Sequence, residues 1–410
     1  MVFASLRRPK RLTLRCSDAR PRSFLVKGGE DLRNDDRIQQ LFAAMRRELE
    51  RADAAPAGRR ARLTLRTYAV VPLTPRLGLI EWVADAAVLK SVMNAQWGAR
   101  GTAALLAAGR ARDSALGLDN RDYKSYHTSY QTKTRADAEG ALARARAQLE
   151  AAECGAGALR RHLVATAQSP EALFSLRASF ARSLGASSAA CYLVGLGDRH
   201  LENMMLDRGD ASIVHIDLAA SFGLGASALP VPEFQPFRLT AELRAALAPT
   251  DARQVISHHI AASLERLQAP RARAALLATL DVFVREPVLD WLHHLDKSRK
   301  RRKDGADAAA DDPLLHTWSP QRKVDAARDK LDGVHPLRVL LDELRCNPVV
   351  AARQSFAAIE TILRSAAPGH PLADDDRPIL AVPDQVAVLV GLATEPNVIA
   401  RQWQGLTPWL

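Results

Sequence analysis

The sequence predicts an α+β fold in which a small β-rich lobe leads into a larger helical one. Two observations carry this. Up to about residue 83 the chain is rich in runs that alternate apolar and polar residues, with one helical stretch among them. Beyond that point apolar residues recur at three- and four-residue spacing. Two short apolar runs, CYLVGL and SIVHID, interrupt this pattern and bracket a polar cluster. Two lobes with an extended joint make a clamp, and clefts between lobes are where small ligands bind.

The elements follow in order. Residues 1–27 read as a hairpin: a strand to about Ser5, a basic turn LRRPK, a strand RLTLRCS, and a returning strand FLVK that ends on Lys27. A helix follows Asn34, with Ile38, Leu41, Phe42, Met45 and Leu49 on one face. ADAAPAGRRA is a loop, and LTLRTYAVVPL and LGLIEWV are strands. In the second lobe Ser169-Pro170-Glu171 marks a helix start: a serine cap, a proline in the first turn and an acid at the positive dipole end. Leu173, Leu176, Phe180 and Leu184 continue one face of that helix. Helices run on to about residue 365, with a charged, alanine-rich loop at 298–312. A Pro/Asp-rich linker at 365–381 precedes a last helix and a Trp-rich end, and no internal repeat is visible.

The 410 residues suffice for two or three ordinary domains. No apolar run reaches the length of a membrane span; the longest candidate, Leu73 to Leu89, is interrupted by Pro75, Arg76, Glu81 and Asp85. Four cysteines lie far apart with no C-x-x-C pair, which fits a reducing compartment and argues against a zinc or disulfide framework. The net charge of +11 suggests polyanionic company, although much of it is arginine in an Ala/Arg-rich background. The opening MVFASLRRPKRLTLR has the composition of a transit peptide, but its alternation reads as a strand of the fold.

The polar cluster is Gly197-Asp198-Arg199-His200-Leu201-Glu202-Asn203, followed by Asp217 at the end of the second apolar run. Phosphoryl transfer asks for a divalent cation on hard oxygen ligands, a positive charge on the phosphates, and a group that orients the attacking hydroxyl. Asp217 and Asn203 are suitable oxygen ligands. Asp198 can accept a hydroxyl proton, and Lys27 can reach phosphates, held by Asp35 or Glu30. Singly, each has a plainer reading. An Asp–Arg pair near a loop is usually a surface ion pair, a strand lysine is usually solvated, and an Asp closing an apolar run often caps a helix. The combination, in this order along the chain, is far more specific than its parts.

With these residues in place, the sequence resembles the kinase domain of the phosphatidylinositol 3-kinase-related protein kinases. That family's catalytic loop, G-D-R-H-x-x-N, matches Gly197 to Asn203. Its lysine strand and first helix match FLVKGGEDLRNDDRIQQLF, 24–42, and its adenine hinge matches YAVVPLTPRLGLIEWV, 68–83. Its activation segment matches LPVPEFQPFRLT, 229–240, and its C-terminal signature matches ATEPNVIARQWQGLTPWL, 393–410. DVFVREPVLDW, 281–291, is similar to a DNA-repair branch of the family. The resemblance covers nearly the whole chain except stretches near 94–165 and 298–312.

The resemblance implies a two-lobed protein-kinase-like fold of the phosphatidylinositol 3/4-kinase type. Its parts are an N-lobe and hinge at 1–83, a C-lobe at 84–380 with catalytic loop 195–206 and activation segment 217–240, and a FATC segment at 381–410. It implies a serine/threonine protein kinase using ATP and magnesium, with manganese as a substitute. The substrate would be Ser or Thr followed by Gln. The setting would be nuclear, in double-strand-break repair by non-homologous end joining, with no membrane partner. The Ku heterodimer and DNA ends would be met through upstream regions.

Residue by residue, the resemblance puts Lys27 on the ATP phosphates, with Asp35 pairing it and Tyr68 supporting that pair. Ser5 falls in the phosphate loop, Trp82 faces the adenine, and Glu81 and Val83 offer backbone hinge bonds. Met205 and Ile216 line the adenine floor. Asp198 orients the substrate hydroxyl, His200 stabilises the transferring phosphoryl group, and Asn203 and Asp217 hold magnesium.

Two departures stand out. Where the family has D-F-G followed by His, this chain has Asp217-Leu218-Ala219-Ala220. Leucine keeps apolar volume, but Ala219 gives up the freedom of glycine and Ala220 lacks a polar side chain. The chain also opens at the phosphate loop and, by this resemblance, reads as a fragment, a partial gene model or a trimmed protein. Two rival functions follow: a catalytically impaired scaffold, or a phosphoinositide lipid kinase. Against the second, no Lys or Arg occurs from Leu218 to Phe237, and Arg238 is the first. The basic run Lys297–Lys303 reads as a solvated loop, with a nuclear-import signal or a DNA-facing patch as alternatives. The tail, with Val386, Leu389, Val390 and Ala393 at helical spacing, is expected to dock on the helical lobe near the activation segment.

Overall fold

The computed structural model describes residues 8–53, 63–285, 320–373 and 376–410. Ser5, the basic run Lys297–Lys303 and residues 286–291 of the DVFVREPVLDW match lie outside them. The small lobe comprises β1 (Lys10–Arg15), β2 (Pro21–Gly28), α1 (Arg33–Asp53), β3 (Val70–Thr74) and β4 (Leu77–Glu81). The strands form one antiparallel sheet in the order β1-β2-β4-β3. Lys27 pairs with Gly78, and a Cβ on Gly78 would lie 2.8 Å from the Leu32 side chain and 2.9 Å from the Val71 carbonyl. Glycine is therefore what lets this strand lie against Leu32 and the β3 backbone. Ile38, Leu41, Phe42, Met45 and Leu49 of α1 are all buried, as their spacing predicts.

The expected strand over LTLRTYAVVPL is shorter: residues 63–69 form no strand. Their alternation is real, since Leu63 and Leu65 are buried, but the backbone finds side-chain partners instead. The Tyr68 N–H donates to Gln39 Oε1 at 3.1 Å, and the Ala69 N–H donates to the Glu81 carboxylate at 2.8 Å.

The large lobe begins with β5 (Ala86–Val88), α2 (Leu89–Trp97), α3 (Arg100–Leu116), α4 (Lys124–Thr132), α5 (Arg135–Ala151) and α6 (Ala158–Thr166). Its central helix is α7 (Pro170–Val194), capped by the Ser169 hydroxyl, which accepts the Ala172 N–H at 3.1 Å. Then come β6 (Met204–Asp207), β7 (Ile213–His215), α8 (Leu224–Ser227), α9 (Ala241–Ala245), α10 (Ala252–Gln268) and α11 (Pro270–Arg285). The remaining described helices are α12 (Pro320–Leu331), α13 (Pro336–Arg345), α14 (Pro348–Ala352), α15 (Phe356–Arg364), α16 (Val382–Thr394) and α17 (Pro396–Ile399). Among the described residues no helix is long and apolar enough to cross a membrane.

A second sheet, β5-β6-β7, sits at the joint of the lobes. Its first strand leaves the hinge and its other two follow the catalytic loop, with Val88 paired to Met205 and Ala86 to Asp207. The Lys90 N–H donates to the Leu201 carbonyl at 3.1 Å, and Arg66 pairs with Asp207 at 2.8 Å. Hinge and catalytic loop are thus built on one small frame. The tail docks as expected. Trp409 is buried, Gln235 donates to the Ala393 carbonyl at 3.0 Å, and the Ala241 N–H donates to the Leu410 carbonyl at 3.2 Å. Trp403 departs from the expectation and stays exposed.

Candidate active site

The catalytic loop starts where α7 ends. Gly195 takes a left-handed φ of 59°, and a Cβ there would meet the Gly223 nitrogen at 2.5 Å. Three backbone bonds then lace this loop to the segment after Asp217. Gly197 N–H donates to Ala220 O at 2.7 Å, Phe222 N–H to Val194 O at 2.7 Å, and Gly223 N–H to Gly195 O at 2.9 Å.

Arg199 completes the frame. Its buried guanidinium donates to the carbonyls of Gly197 (2.8 Å), Asn203 (3.2 Å), Ile216 (2.8 Å) and Asp217. One side chain thereby fixes the backbone of both proposed metal ligands. Asp198 and Asp217 both hold left-handed φ values, 56° and 55°, which a non-glycine residue adopts only when its surroundings impose it.

Asn203 Nδ2 donates to the Asp198 carbonyl at 3.0 Å and to Asp198 Oδ2 at 3.2 Å, which leaves its Oδ1 as the acceptor for a cation. Burial pushes the Asp198 carboxyl up, opposed by His200 and Arg199. His200 Nδ1 accepts the Glu202 N–H at 3.1 Å, so the ring proton resides on Nε2, 3.9 Å from Asp198 Oδ2. Burial lowers the His200 pKa, which suits this neutral form. Glu202 is itself anchored by Lys90 at 2.7 Å.

Across the cleft, Lys27 Nζ lies 3.1 Å from Glu30 Oε1. Of the two acids expected to hold Lys27, Glu30 is the one at ion-pair distance, while Asp35 acts on the ammonium electrostatically. The buried Asp35 accepts the Leu218 N–H on Oδ1 at 3.1 Å, so its hydrogen bond goes to the segment that follows Asp217. Burial alone would lower the Lys27 pKa, but Asp217, Glu30 and Asp35 outweigh it and hold the ammonium above the ordinary lysine value. Burial pushes Asp35 up to about 6. Tyr68 is buried near Asp35, and burial first, then that carboxylate, pushes its phenol up.

The floor of the cleft is apolar. Ile80, Val83, Met205 and Ile216 are half-buried and pack on Leu32, Tyr68, Val70 and Val214. The Glu81 N–H is spent on the Ala69 carbonyl at 2.8 Å, so a hinge bond from Glu81 falls to its carbonyl. The Trp82 ring has the Arg11 guanidinium over one face at 4.5 Å.

The arrangement suits a metal nucleotide. Asp217 and Asn203 supply two hard oxygen donors on adjacent backbone, since the Ile216 N–H donates to the Asn203 carbonyl at 3.1 Å. Among the described residues no cluster of three or more His, Cys, Asp and Glu could hold a metal unaided. Magnesium commonly takes one or two protein oxygens and completes its shell from substrate phosphates and water.

The family described as phosphatidylinositol 3- and 4-kinase matches residues 22–293. The chain belongs to that family. It is 35% identical to the DNA-dependent protein kinase catalytic subunit of Xenopus laevis over 421 aligned residues, which cover 100% of this chain and 10% of that protein. It is 32% identical to the Dictyostelium discoideum protein of the same name, covering 99% of this chain and 9% of that one. It is 30% identical to the serine/threonine-protein kinase TOR of Oryza sativa over 71% of this chain and 11% of that one. The chain thus spans about a tenth of the curated relatives it matches. A solved structure described as the FAT and kinase domain of CtTel1 covers all of this chain and 23% of its own, at 23% identity and a TM-score of 0.60, and shows the shared fold. These likenesses establish a two-lobed kinase fold of this family and support a protein kinase.

Sequence reasoning did not assign Asn34, Arg199 or Glu233. Asn34 Nδ2 donates to Leu218 O (3.2 Å), Ala219 O (3.3 Å) and Ser221 Oγ (3.2 Å). Arg199 carried a signal, since it sits inside the motif itself. Asn34 and Glu233 carried none beyond lying in matched segments.

Proposed function

We propose that this chain is the catalytic unit of an ATP- and magnesium-dependent serine/threonine protein kinase acting on Ser or Thr followed by Gln. One observation supports this reading above the others. Asp217 lies close enough to influence both Lys27 on the small lobe and Asp198 on the large lobe. A phosphate cation, a metal ligand and a hydroxyl acceptor therefore share one cleft.

In this reading Lys27, backed by Glu30, neutralises phosphate charge. Met205, Ile216, Val83 and Trp82 receive the adenine, with backbone bonds from Glu81 and Val83. Asp217 and Asn203 Oδ1 would hold magnesium, which when bound screens the phosphate charges and orients them. Asp198 accepts the hydrogen bond of the substrate hydroxyl and points its oxygen at the phosphoryl group. His200 offers its Nε2–H to the phosphoryl oxygens as charge develops there.

A protein substrate is favoured over an inositol phosphate because no Lys or Arg occurs from Leu218 to Phe237 to receive the phosphorylated head group. The likeness to DNA-dependent protein kinase supports a nuclear role in end joining, with the Ku heterodimer and DNA ends engaged by regions outside this chain. The test is a magnesium- and ATP-dependent assay with a Ser-Gln peptide, its Ser-Ala counterpart and phosphatidylinositol vesicles. Labelling of the Ser-Gln peptide, lost in Asp217→Ala, is expected. Labelling of the lipid alone overturns the substrate, and no labelling of any overturns the activity.

A further inference from the structure

Glu233 lies between α8 and α9, in the segment after the metal-binding Asp217. Both of its carboxylate oxygens accept one donor, the Asp198 N–H, at 3.0 and 2.9 Å. Two glycines make the slot. A Cβ on Gly197 would stand 2.6 Å from Glu233 Oε2, and one on Gly225 would stand 3.0 Å from it. Neither glycine has a positive φ, so each is needed here for room rather than for backbone freedom. The carboxylate makes no ion pair among the described residues. Arg199, the cation that acts on it, is already spent on four carbonyls. A carboxylate set in a glycine slot and devoted to one amide costs desolvation, and the amide it holds belongs to a residue with φ of 56°.

We propose that Glu233 is a positioning residue, which fixes the left-handed backbone of Asp198 and so sets where the Asp198 carboxylate meets the substrate hydroxyl. The inference rests on the kinase reading and names a residue that reading does not use. It also gives the activation segment a direct line to the catalytic loop. Because Glu233 belongs to residues 229–240, a displacement of that segment that withdraws its carboxylate would leave the Asp198 amide without this acceptor. Burial pushes the Glu233 carboxyl up to about 7. The groups that face it are Asp198 and Arg199 of the catalytic loop, with Lys330 of α12 and Glu343 of α13 lining the same cavity. The ionised form is the stronger acceptor for an N–H.

The experiment compares the full chain with Glu233→Gln and Gly197→Ala. Glutamine keeps the size but turns one acceptor into a donor facing an N–H. Alanine at 197 pushes an intact carboxylate off its amide. Both variants are expected to lower kcat for a Ser-Gln peptide at least about tenfold, with KM for ATP within about twofold and a cooperative thermal transition retained. The wild-type kcat is expected to rise as pH passes through about 7, and that limb should vanish in Glu233→Gln. Selective 15N-aspartate labelling gives a readout without turnover: one amide resonance of the wild type should shift with the same midpoint and stay fixed in the variant. Wild-type kcat in Glu233→Gln, or an unchanged pH limb and amide titration, overturns the proposal. If the wild type transfers no phosphate, the kinase reading fails. The amide titration then still decides whether Glu233 holds Asp198.

Discussion

The side-chain amide of Asn34 donates to the Leu218 carbonyl at 3.2 Å, joining the first turn of α1 to the residue after the proposed metal ligand. The same nitrogen reaches Ala219 O and Ser221 Oγ, while Asp35 accepts the Leu218 N–H. This explains how the chain tolerates Leu218-Ala219-Ala220. In this segment the positive φ values fall on Asp217 and Phe222, not on Ala219, so alanine there carries no backbone strain. Four bonds to Asn34 and Asp35, with Gly197 N–H on Ala220 O, hold what a family glycine would leave free.

Asn34→Ala should therefore loosen the segment after Asp217 while sparing the fold. A net loss of about 1–2 kcal/mol is expected, because a hydrogen bond contributes about 0.5–1.5 kcal/mol net. Activity should fall roughly tenfold by the same arithmetic. The magnesium concentration for half-maximal rate should rise, and limited proteolysis near 218–222 should quicken. Unchanged magnesium dependence and unchanged cleavage would show that α1 does not control this segment.

Asp35 pits stability against activity. Its folded pKa of about 6 stands above the ordinary aspartate value of 3.8. A carboxyl with a raised folded pKa is most favourable to the fold when protonated. Its contribution is full below about 3.8 and declines as pH rises to about 6. Asp35→Asn removes that charge and keeps an oxygen for the Leu218 N–H. It should raise the thermal midpoint above pH 6, by an amount on the order of 3 kcal/mol in unfolding free energy. Phosphoryl transfer should fall, because Lys27 loses one of its three carboxylate neighbours. Glu30→Gln removes the direct 3.1 Å partner and should raise KM for ATP more than Asp35→Asn does. Equal effects of the two variants on KM would restore Asp35 as the partner of Lys27.

The tail gives a contrast between its tryptophans. Trp409 is 2% exposed and lies over the Arg112 guanidinium at 5.2 Å, while Trp403 is 44% exposed. Arg238, at the end of the activation segment, donates to the carbonyls of Leu406 and Thr407. Trp409→Ala should cost about 3–5 kcal/mol as a buried aromatic truncation, and Trp403→Ala should stay within about 0.5 kcal/mol. Removing residues 383–410 should lower activity and expose the activation segment to protease together. Full activity with the wild-type cleavage pattern in that truncation would sever the tail from the site.

Much of the fold was legible because it is periodic. The face of α1 from Ile38 to Leu49 and the cap at Ser169 follow from spacing and local chemistry. β5 and β6 were not legible, since three or four residues cannot display a period. The site was legible as a list of residue types, but not as a set of partners. Glu30 and Asp35 are both acids near Lys27 in sequence, and only the helical direction of α1 sends Asp35 to Leu218. Asn34 and Glu233 act on residues distant in sequence, which no local pattern encodes.

His215 reverses the sign of the Asp35 effect. It lies on β7 opposite Met204, buried, with Nδ1 lacking a hydrogen-bond partner. Burial pushes its pKa down to about 3, so the folded chain keeps it neutral. The unfolded chain protonates it below about 6.5. Its contribution is therefore full above about 6.5 and is lost as pH falls toward about 3. His215→Leu removes the proton site and leaves an apolar side chain among β6 and β7. Denaturant unfolding at pH 7.5 should differ by no more than about 1.5 kcal/mol from wild type. Between pH 6.5 and 5 the wild type should lose about 2 kcal/mol more than the variant, at about 1.36 kcal/mol per pH unit. Parallel pH curves for the two proteins would mean that His215 is protonated, or open to water, in the folded state.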